Sequence, residues 1–414
     1  MQTQLAPEFA GTREGQEAEA ILRKCVHCGF CNATCPTYQL LGDELDGPRG
    51  RIYLMKQVLE GAPVTRSTQL HLDRCLTCRN CETTCPSGVQ YGHLVDIGRK
   101  IVEEGVERPA SEKAVRWLLK EGLTSPLFGP AMKLGQLVRP LLPAALKHKV
   151  PAPAGARARL WPTREHPRKV LMLLGCVQRA MMPNINSATA RVLDAAGIQT
   201  LVADGAGCCG AIRTHLNDAE GGRADMRRNI DAWWPLVDGL TSQGRVEALV
   251  MNASGCGLAV KEYGHALAHD PAYADKARRI SALTRDLSEL LPDLVSALQG
   301  QLRNPSVTRL AFHPPCTLQH GQQLRGGVET HLSALGFTVN VATNESHLCC
   351  GSAGTYSVLQ PVLATQLRDR KLANLQPLEP QVIVSANIGC IQHLQSGTAT
   401  PVRHWVEVLD DALA

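Results

Sequence analysis

Two stretches of this chain repeat one cysteine spacing, and that spacing limits the surrounding fold more than anything else in the sequence. Cys25-Val-His-Cys28-Gly-Phe-Cys31-Asn-Ala-Thr-Cys35-Pro36 and Cys75-Leu-Thr-Cys78-Arg-Asn-Cys81-Glu-Thr-Thr-Cys85-Pro86 both read C-x2-C-x2-C-x3-C-P. Two-residue gaps let three thiolates curl around three irons of one cube, and the fourth, carried away by the following turn and proline, reaches a neighbouring cube. The spacing therefore predicts two [4Fe–4S] clusters. Cys25, Cys28, Cys31 and Cys85 are expected on the first, and Cys75, Cys78, Cys81 and Cys35 on the second. Structural zinc needs only four ligands, usually two C-x2-C pairs. A third cysteine at the same gap and a prolyl fourth, given twice, have no use in a zinc ribbon.

Sixteen cysteines in 414 residues would suggest disulfides only in a small secreted scaffold. The first fifteen residues have neither a basic nor an apolar segment of a signal peptide, so the expected location is the cytoplasm, where clustered thiols mean metal or redox chemistry. No apolar run is long enough to cross a bilayer, so membrane contact is expected to be peripheral. A net charge of +5, without basic residues gathered in a motif, gives no case for nucleic acid. Arg23, Lys24, Arg49, Arg51, Arg74 and Arg79 lie close to the quartets in sequence, where cations favour reduction of an anionic cluster.

The cysteines also divide the chain. Residues 1–105 are expected to form a helical two-cluster ferredoxin-like module, closing on an amphipathic helix over Tyr91–Glu104. Residues 106–168, with prolines from Pro126 to Pro167, read as an irregular linker with short helices, one near Ala114–Leu119. The apolar, basic-studded stretch from Met132 to Lys149 suits either packing on its own protein or a membrane surface.

Residues 169–300 and 301–414 read as one unit given twice. Val170–Gly175 runs into Cys176 and Leu310–Pro315 into Cys316. Helices follow over Ala188–Ala196 and Val328–Leu335, closing on Gly197 and Gly336. Second strands, Gln199–Ala203 and Thr338–Ala342, lead to Cys208-Cys209-Gly210 and Cys349-Cys350-Gly351. Helices near Ala224–Leu240 and Pro361–Leu375 precede third strands, Ala248–Met251 and Val382–Ser385, which lead to Cys256 and Cys390. This alternation predicts α/β units on parallel sheets. Residues after strand ends gather at one rim of such a sheet. Cys176, Cys208, Cys209 and Cys256 are thus expected together, as are Cys316, Cys349, Cys350 and Cys390, and each set is a candidate for one further iron–sulfur cluster.

His313, His347 and His393 flank the second set, and the first set has no histidine at those places. Gly205-Ala-Gly-Cys-Cys-Gly210 matches the dinucleotide fingerprint, but its counterpart Ser346-His-Leu-Cys-Cys-Gly351 lacks the first two glycines, so the match reads as chance. No flavin, nicotinamide or hydrolytic motif appears, and no residue is expected to be catalytic on an organic substrate.

A two-cluster module followed by two Cys-Cys-Gly repeats resembles a family of iron–sulfur subunits found with glycerol-3-phosphate dehydrogenase, lactate utilisation and heterodisulfide reductase. The likeness is strongest to those of bacterial glycolate oxidases. It is carried by the first quartet, by Thr37 through Tyr53, by Asn229-Ile-Asp-Ala-Trp-Trp-Pro235, by Cys316-Thr-Leu-Gln-His320 and by Leu348 through Tyr356. The resemblance implies a multi-subunit oxidase. An FAD-binding subunit oxidises glycolate to glyoxylate, and the iron–sulfur chain passes the electrons toward a membrane quinone from the inner face of the cytoplasmic membrane. The same role in a lactate or glycerol-3-phosphate dehydrogenase complex is the alternative. Heterodisulfide reductases add a fifth cysteine to each repeat. Here those positions are Ala259 and His393, which counts against disulfide-reducing chemistry.

Overall fold

The computed structural model describes residues 1–141, 158–303 and 307–413. Among them, the N-terminal hundred residues form helices only. Three carry the module: Arg13–Lys24, Pro48–Leu59 and Tyr91–Gly105. The first opens on Thr12, whose hydroxyl accepts the Gly15 N–H at 3.0 Å, and the second opens on Pro48, where a missing N–H costs nothing. Leu22, Met55, Leu59, Leu72 and Leu94 meet in one aliphatic core that also buries Cys25, Cys75 and Cys81. The cysteine loops are thereby clamped between rigid elements.

The segment expected to be irregular is more regular than its prolines suggested. Helices run over Ala110–Thr124 and Phe128–Val138. Pro126 precedes the second, Pro130 falls in its first turn and Pro140 follows its end, all positions a helix tolerates. Neither helix buries a residue fully. Bidentate pairing of Arg213 with Glu121 ties the first of them to the domain that follows. The proposed surface stretch from Met132 to Lys149 lies partly outside the described residues.

The duplicated half holds two parallel four-stranded sheets of one topology. Strands β1 (Arg168–Met172), β2 (Ile198–Leu201), β3 (Ala248–Met251) and β4 (Thr284–Asp286) lie in the order β2-β1-β3-β4. Strands β5 (Arg309–Phe312), β6 (Thr338–Val341), β7 (Val382–Ser385) and β8 (Val402–His404) repeat it as β6-β5-β7-β8. The central strands β3 and β7 are buried at every position, as a sheet covered on both faces requires. Gly197 and Gly336 end their helices at φ +75° and +95°, as their sequence positions implied. The fourth strands, three residues each and without an apolar run, are not marked as strands by the sequence.

The two repeats share one core. Helix Pro183–Ala195 lies on helix Trp405–Leu413, and at their contact buried Asn184 donates to the Glu407 carboxylate at 2.8 Å.

Candidate metal centres

In each N-terminal quartet the residues flanking the middle cysteine are left-handed. They are His27 and Gly29 at φ +60° and +87°, and Thr77 and Arg79 at +53° and +59°. A β-branched residue such as Thr77 adopts this conformation only where its surroundings enforce it. The two reversals curl the loop so that its thiols face inward. Gly29 has a second reason: a Cβ there would meet Arg49 Nη1 at 2.5 Å. Short helices, Phe30–Ala33 and Asn80–Thr84, then carry Cys31 and Cys81. They pack together, with Thr34 Oγ1 2.9 Å from Thr84 Oγ1, and so each quartet's last cysteine exits beside the other quartet.

One cavity is lined by Cys25, Cys28, Cys31 and Cys85, together with Cys81 and Arg49. Burial pushes the Cys31 thiol up to about 12, reinforced by Cys25, Cys35 and Cys85. Burial also raises Cys81, reinforced by Cys78, Cys75 and Cys35. Thiols crowded this way resist ionising until a cation takes their charge.

Of the six basic residues near the quartets, two face the sites and the rest have other duties. Arg49 lines the first cavity and pairs with Glu44 at 2.6 Å. Arg51 is buried, donating to the His71 carbonyl at 2.7 Å, to Thr37 Oγ1 at 3.1 Å and to the Asp46 carboxylate at 3.2 Å. Arg74 binds the same carboxylate, Arg79 bridges Glu82 and Glu262, Arg23 pairs with Glu19, and Lys24 donates to Gln90. Sequence proximity did not single out Arg99, a full helix away, which donates to the carbonyls of Leu72 and Cys75. Burial raises the Cys75 thiol, but Arg51 and Arg99, with the Thr77 N–H and the Tyr91 hydroxyl, outweigh it and hold Cys75 low.

The two sites differ in exposure. Cys28 is exposed and is flanked by Val26 and Phe30, 68% and 61% exposed. The second site faces inward. Leu76 and Cys78 pack with Cys316, Cys349, Tyr356 and Leu363 of the second repeat. Tyr356 donates to the Arg74 carbonyl at 3.1 Å, which fixes that docking.

Both Cys-Cys-Gly turns are built alike. Gly210 and Gly351, at φ +91° and +90°, turn their N–H groups back onto Cys208 and Cys349, at 3.4 Å in each case. The segments after β1 and β2 and the helix Ser254–Lys261 after β3 bring Cys176, Cys208, Cys209 and Cys256 together as a run of interacting thiols, which hold Cys208 low and Cys209 high. Their counterparts after β5, β6 and β7 do the same, with Cys316 Sγ 3.8 Å from Cys349 Sγ. The first set is partly open at Cys176 and Cys256, and the second is wholly buried. A Cβ on Gly351 would lie 2.5 Å from the Ala364 carbonyl, whereas Gly336, also left-handed, faces open space. Gly351→Ala is therefore expected to cost about 2–4 kcal/mol, strain plus overpacking, read as a melting temperature clearly below that of Gly336→Ala.

Of the three histidines beside the second set, only His313 reaches the thiols, sharing a buried group with Cys350 and Cys390. His393 bonds the Ala364 carbonyl at 3.0 Å instead, and the His347 carbonyl accepts from His320 at 2.8 Å. The glycine-rich stretch 205–210 serves the Cys-Cys turn: Gly207 donates to Asn229, which donates to the Cys208 carbonyl.

Fold and cysteines together define an iron–sulfur protein with a dicluster module and a duplicated cysteine-rich half. Residues 21–89 match the 4Fe-4S dicluster domain, and residues 170–261 and 310–395 each match the cysteine-rich domain family. The chain is 54% identical to the glycolate oxidase iron-sulfur subunit of Escherichia coli, across 100% of this chain and 99% of that one. It is 29% identical to the probable glycolate oxidase iron-sulfur subunit of Bacillus subtilis, over 92% and 89% of the two. Lactate utilization protein A of Bacillus licheniformis is 25% identical over 58% of this chain and 99% of its own length. The chain belongs to the family of glycolate oxidase iron–sulfur subunits.

Proposed function

We propose that this chain is the electron-transfer subunit of a glycolate oxidase, taking electrons from an FAD-binding partner that converts glycolate to glyoxylate and passing them toward a membrane quinone. The observation that carries the reading is the pair of interlocked cysteine loops. They supply ligands for two adjoining [4Fe–4S] clusters, Cys25, Cys28, Cys31 and Cys85 on one and Cys75, Cys78, Cys81 and Cys35 on the other. Oxidising an alcohol delivers two electrons to flavin, and clusters accept them singly, so a two-cluster wire matches the task. The exposed first site is the port for a redox partner. Arg51 and Arg99 hold positive charge against the second, which favours its reduced state. At least one Cys-Cys-Gly repeat holds a further metal.

Among the described residues, no helix is long and apolar enough to cross a membrane. Exposed Trp117, Leu118, Leu134 and Leu137 on the two linker helices, with Leu127 between them, support peripheral contact on the cytoplasmic side. The second reading, a lactate dehydrogenase complex, has the weaker likeness to lactate utilization protein A behind it.

The isolated chain, purified anaerobically, should carry about eight irons in its N-terminal module and show no glycolate-dependent reduction of a dye. Adding the flavoprotein subunits should restore turnover. Glycolate oxidation by this chain, freed of flavoprotein, would refute the division of labour.

A further inference from the structure

We propose that the second Cys-Cys-Gly repeat holds a single zinc ion, ligated by His313, Cys350 and Cys390 with Cys349 as fourth donor. This rests on the reading above that a repeat binds metal, and it names the repeat, the ligands and the ion.

The spacing of the donors fits a single ion. One ligand atom each from His313, Cys350 and Cys390 lies within 4.8 Å of the other two, and all three residues are buried. The thiol of Cys349, the neighbour of Cys350 in sequence, interacts with the Cys350 thiol and so stands next to this group rather than inside it. Zinc bonds of about 2.3 Å to sulfur and 2.0–2.1 Å to nitrogen place tetrahedral donors roughly 3.5–3.8 Å apart, so a small contraction closes the site. A cube spreads its thiolates over a larger frame. Among the described residues, neither N-terminal quartet nor the first repeat brings three such atoms this close.

The imidazole supplies the second argument. His313 is 1% exposed, yet neither Nδ1 nor Nε2 has a hydrogen-bond partner. An unsatisfied buried nitrogen costs about 1–3 kcal/mol, so a ring orphaned at both is aimed at something else. Its backbone is fixed: the His313 N–H donates to the Val384 carbonyl at 2.8 Å, and Ser385 Oγ donates to the His313 carbonyl at 3.0 Å. The ring thus leaves β5 toward the thiols of the Cys-Cys-Gly turn and of helix Ile388–Gln395. Three residues before Cys176, the first repeat has Leu173 where the second has His313 before Cys316, so only one repeat has this donor.

Charge agrees. A divalent ion with three thiolates and a neutral imidazole carries one net negative charge. Buried Lys371, whose Nζ donates to the Glu345 and Ser346 carbonyls, lies within electrostatic reach of Cys349 and Cys350. With four protein donors the site is closed and its ion redox-inert. It would pin the β5 end, the Cys-Cys-Gly turn and the helix after β7 into the surface on which Cys78 docks.

The full chain, purified anaerobically and passed through a chelator, should retain about one zinc alongside about eight irons. Zinc-edge X-ray absorption should report one nitrogen among sulfurs. His313→Ala and Cys390→Ser should each release the zinc while the N-terminal module keeps its roughly eight irons. His313→Cys, which restores a donor, should regain the ion with an all-sulfur shell. Iron well above eight without zinc, zinc indifferent to both substitutions, or a chain that folds with no zinc would each overturn the proposal. An iron count far below eight with zinc intact would instead sink the two-cluster reading and leave this one standing.

Discussion

Cys85→Ala is expected to abolish the same cluster signal as Cys28→Ala, and to leave the signal lost in Cys78→Ala. The expectation follows from how the loops leave their helices. Cys31 and Cys81 sit on short helices packed against each other through Thr34 and Thr84. The chain emerging from either helix therefore delivers its last cysteine to the far side of that contact. Cys85 lines the cavity of Cys25, Cys28 and Cys31, and Cys35 takes part in the field around Cys75, Cys78 and Cys81. Losing one of four thiolates opens an iron of the cube to solvent, so the expected effect is loss of most of one cluster, a drop of about four irons. EPR of the reduced single variants separates the outcomes. If Cys85→Ala resembles Cys78→Ala, each quartet closes on itself and the crossed assignment is wrong.

How far such assignments are legible in sequence depends on the range of the interaction that decides them. The quartets are local patterns, and their spacing alone dictates chemistry. The Cys-Cys-Gly sets are legible because strand–helix alternation predicts a parallel sheet, and a parallel sheet places the ends of its strands on one rim. The helix over Ala110–Thr124 was legible as the short helix near Ala114–Leu119, whereas Phe128–Val138 was obscured by proline density, since counting prolines ignores that Pro126, Pro130 and Pro140 all fall at helix ends. β4 and β8 have only three residues and are recruited by the neighbours they pair with. Arg99, and the docking of Cys78 against Cys316, are decided by how separate units pack. No window of sequence contains both partners. Nor could spacing say which of three histidines turns inward, because His393 and His313 differ only in which carbonyls and thiols the fold offers them.

Removing the carboxylate of Asp46 should have the largest effect on stability of any single change near the clusters. Asp46 is fully buried, and it neutralises Arg51, itself 1% exposed, while also binding Arg74 at 2.8 Å. His71 Nδ1 lies 3.2 Å away, and the Asp46 carbonyl accepts the Thr37 hydroxyl at 2.8 Å. Arg51, Arg74, His71 and Thr37 are thus gathered around one buried aspartate. Asp46→Ala strands the guanidinium of Arg51 in a desolvated site, and breaking a buried pair from one side costs about 3–5 kcal/mol. Arg51→Met, which removes the charge and fills the space, should cost less, because Asp46 keeps Arg74 as a partner and no buried charge is left alone. The clusters give an independent readout. Losing Asp46 leaves Arg51 uncompensated beside Cys75 and Cys35, so the second cluster's potential should rise, whereas Arg51→Met should lower it. Thermal melts and redox titration monitored by EPR measure both. An Asp46→Ala chain as stable as the parent, with its second potential unmoved, would mean that this network neither holds the loop nor tunes the site.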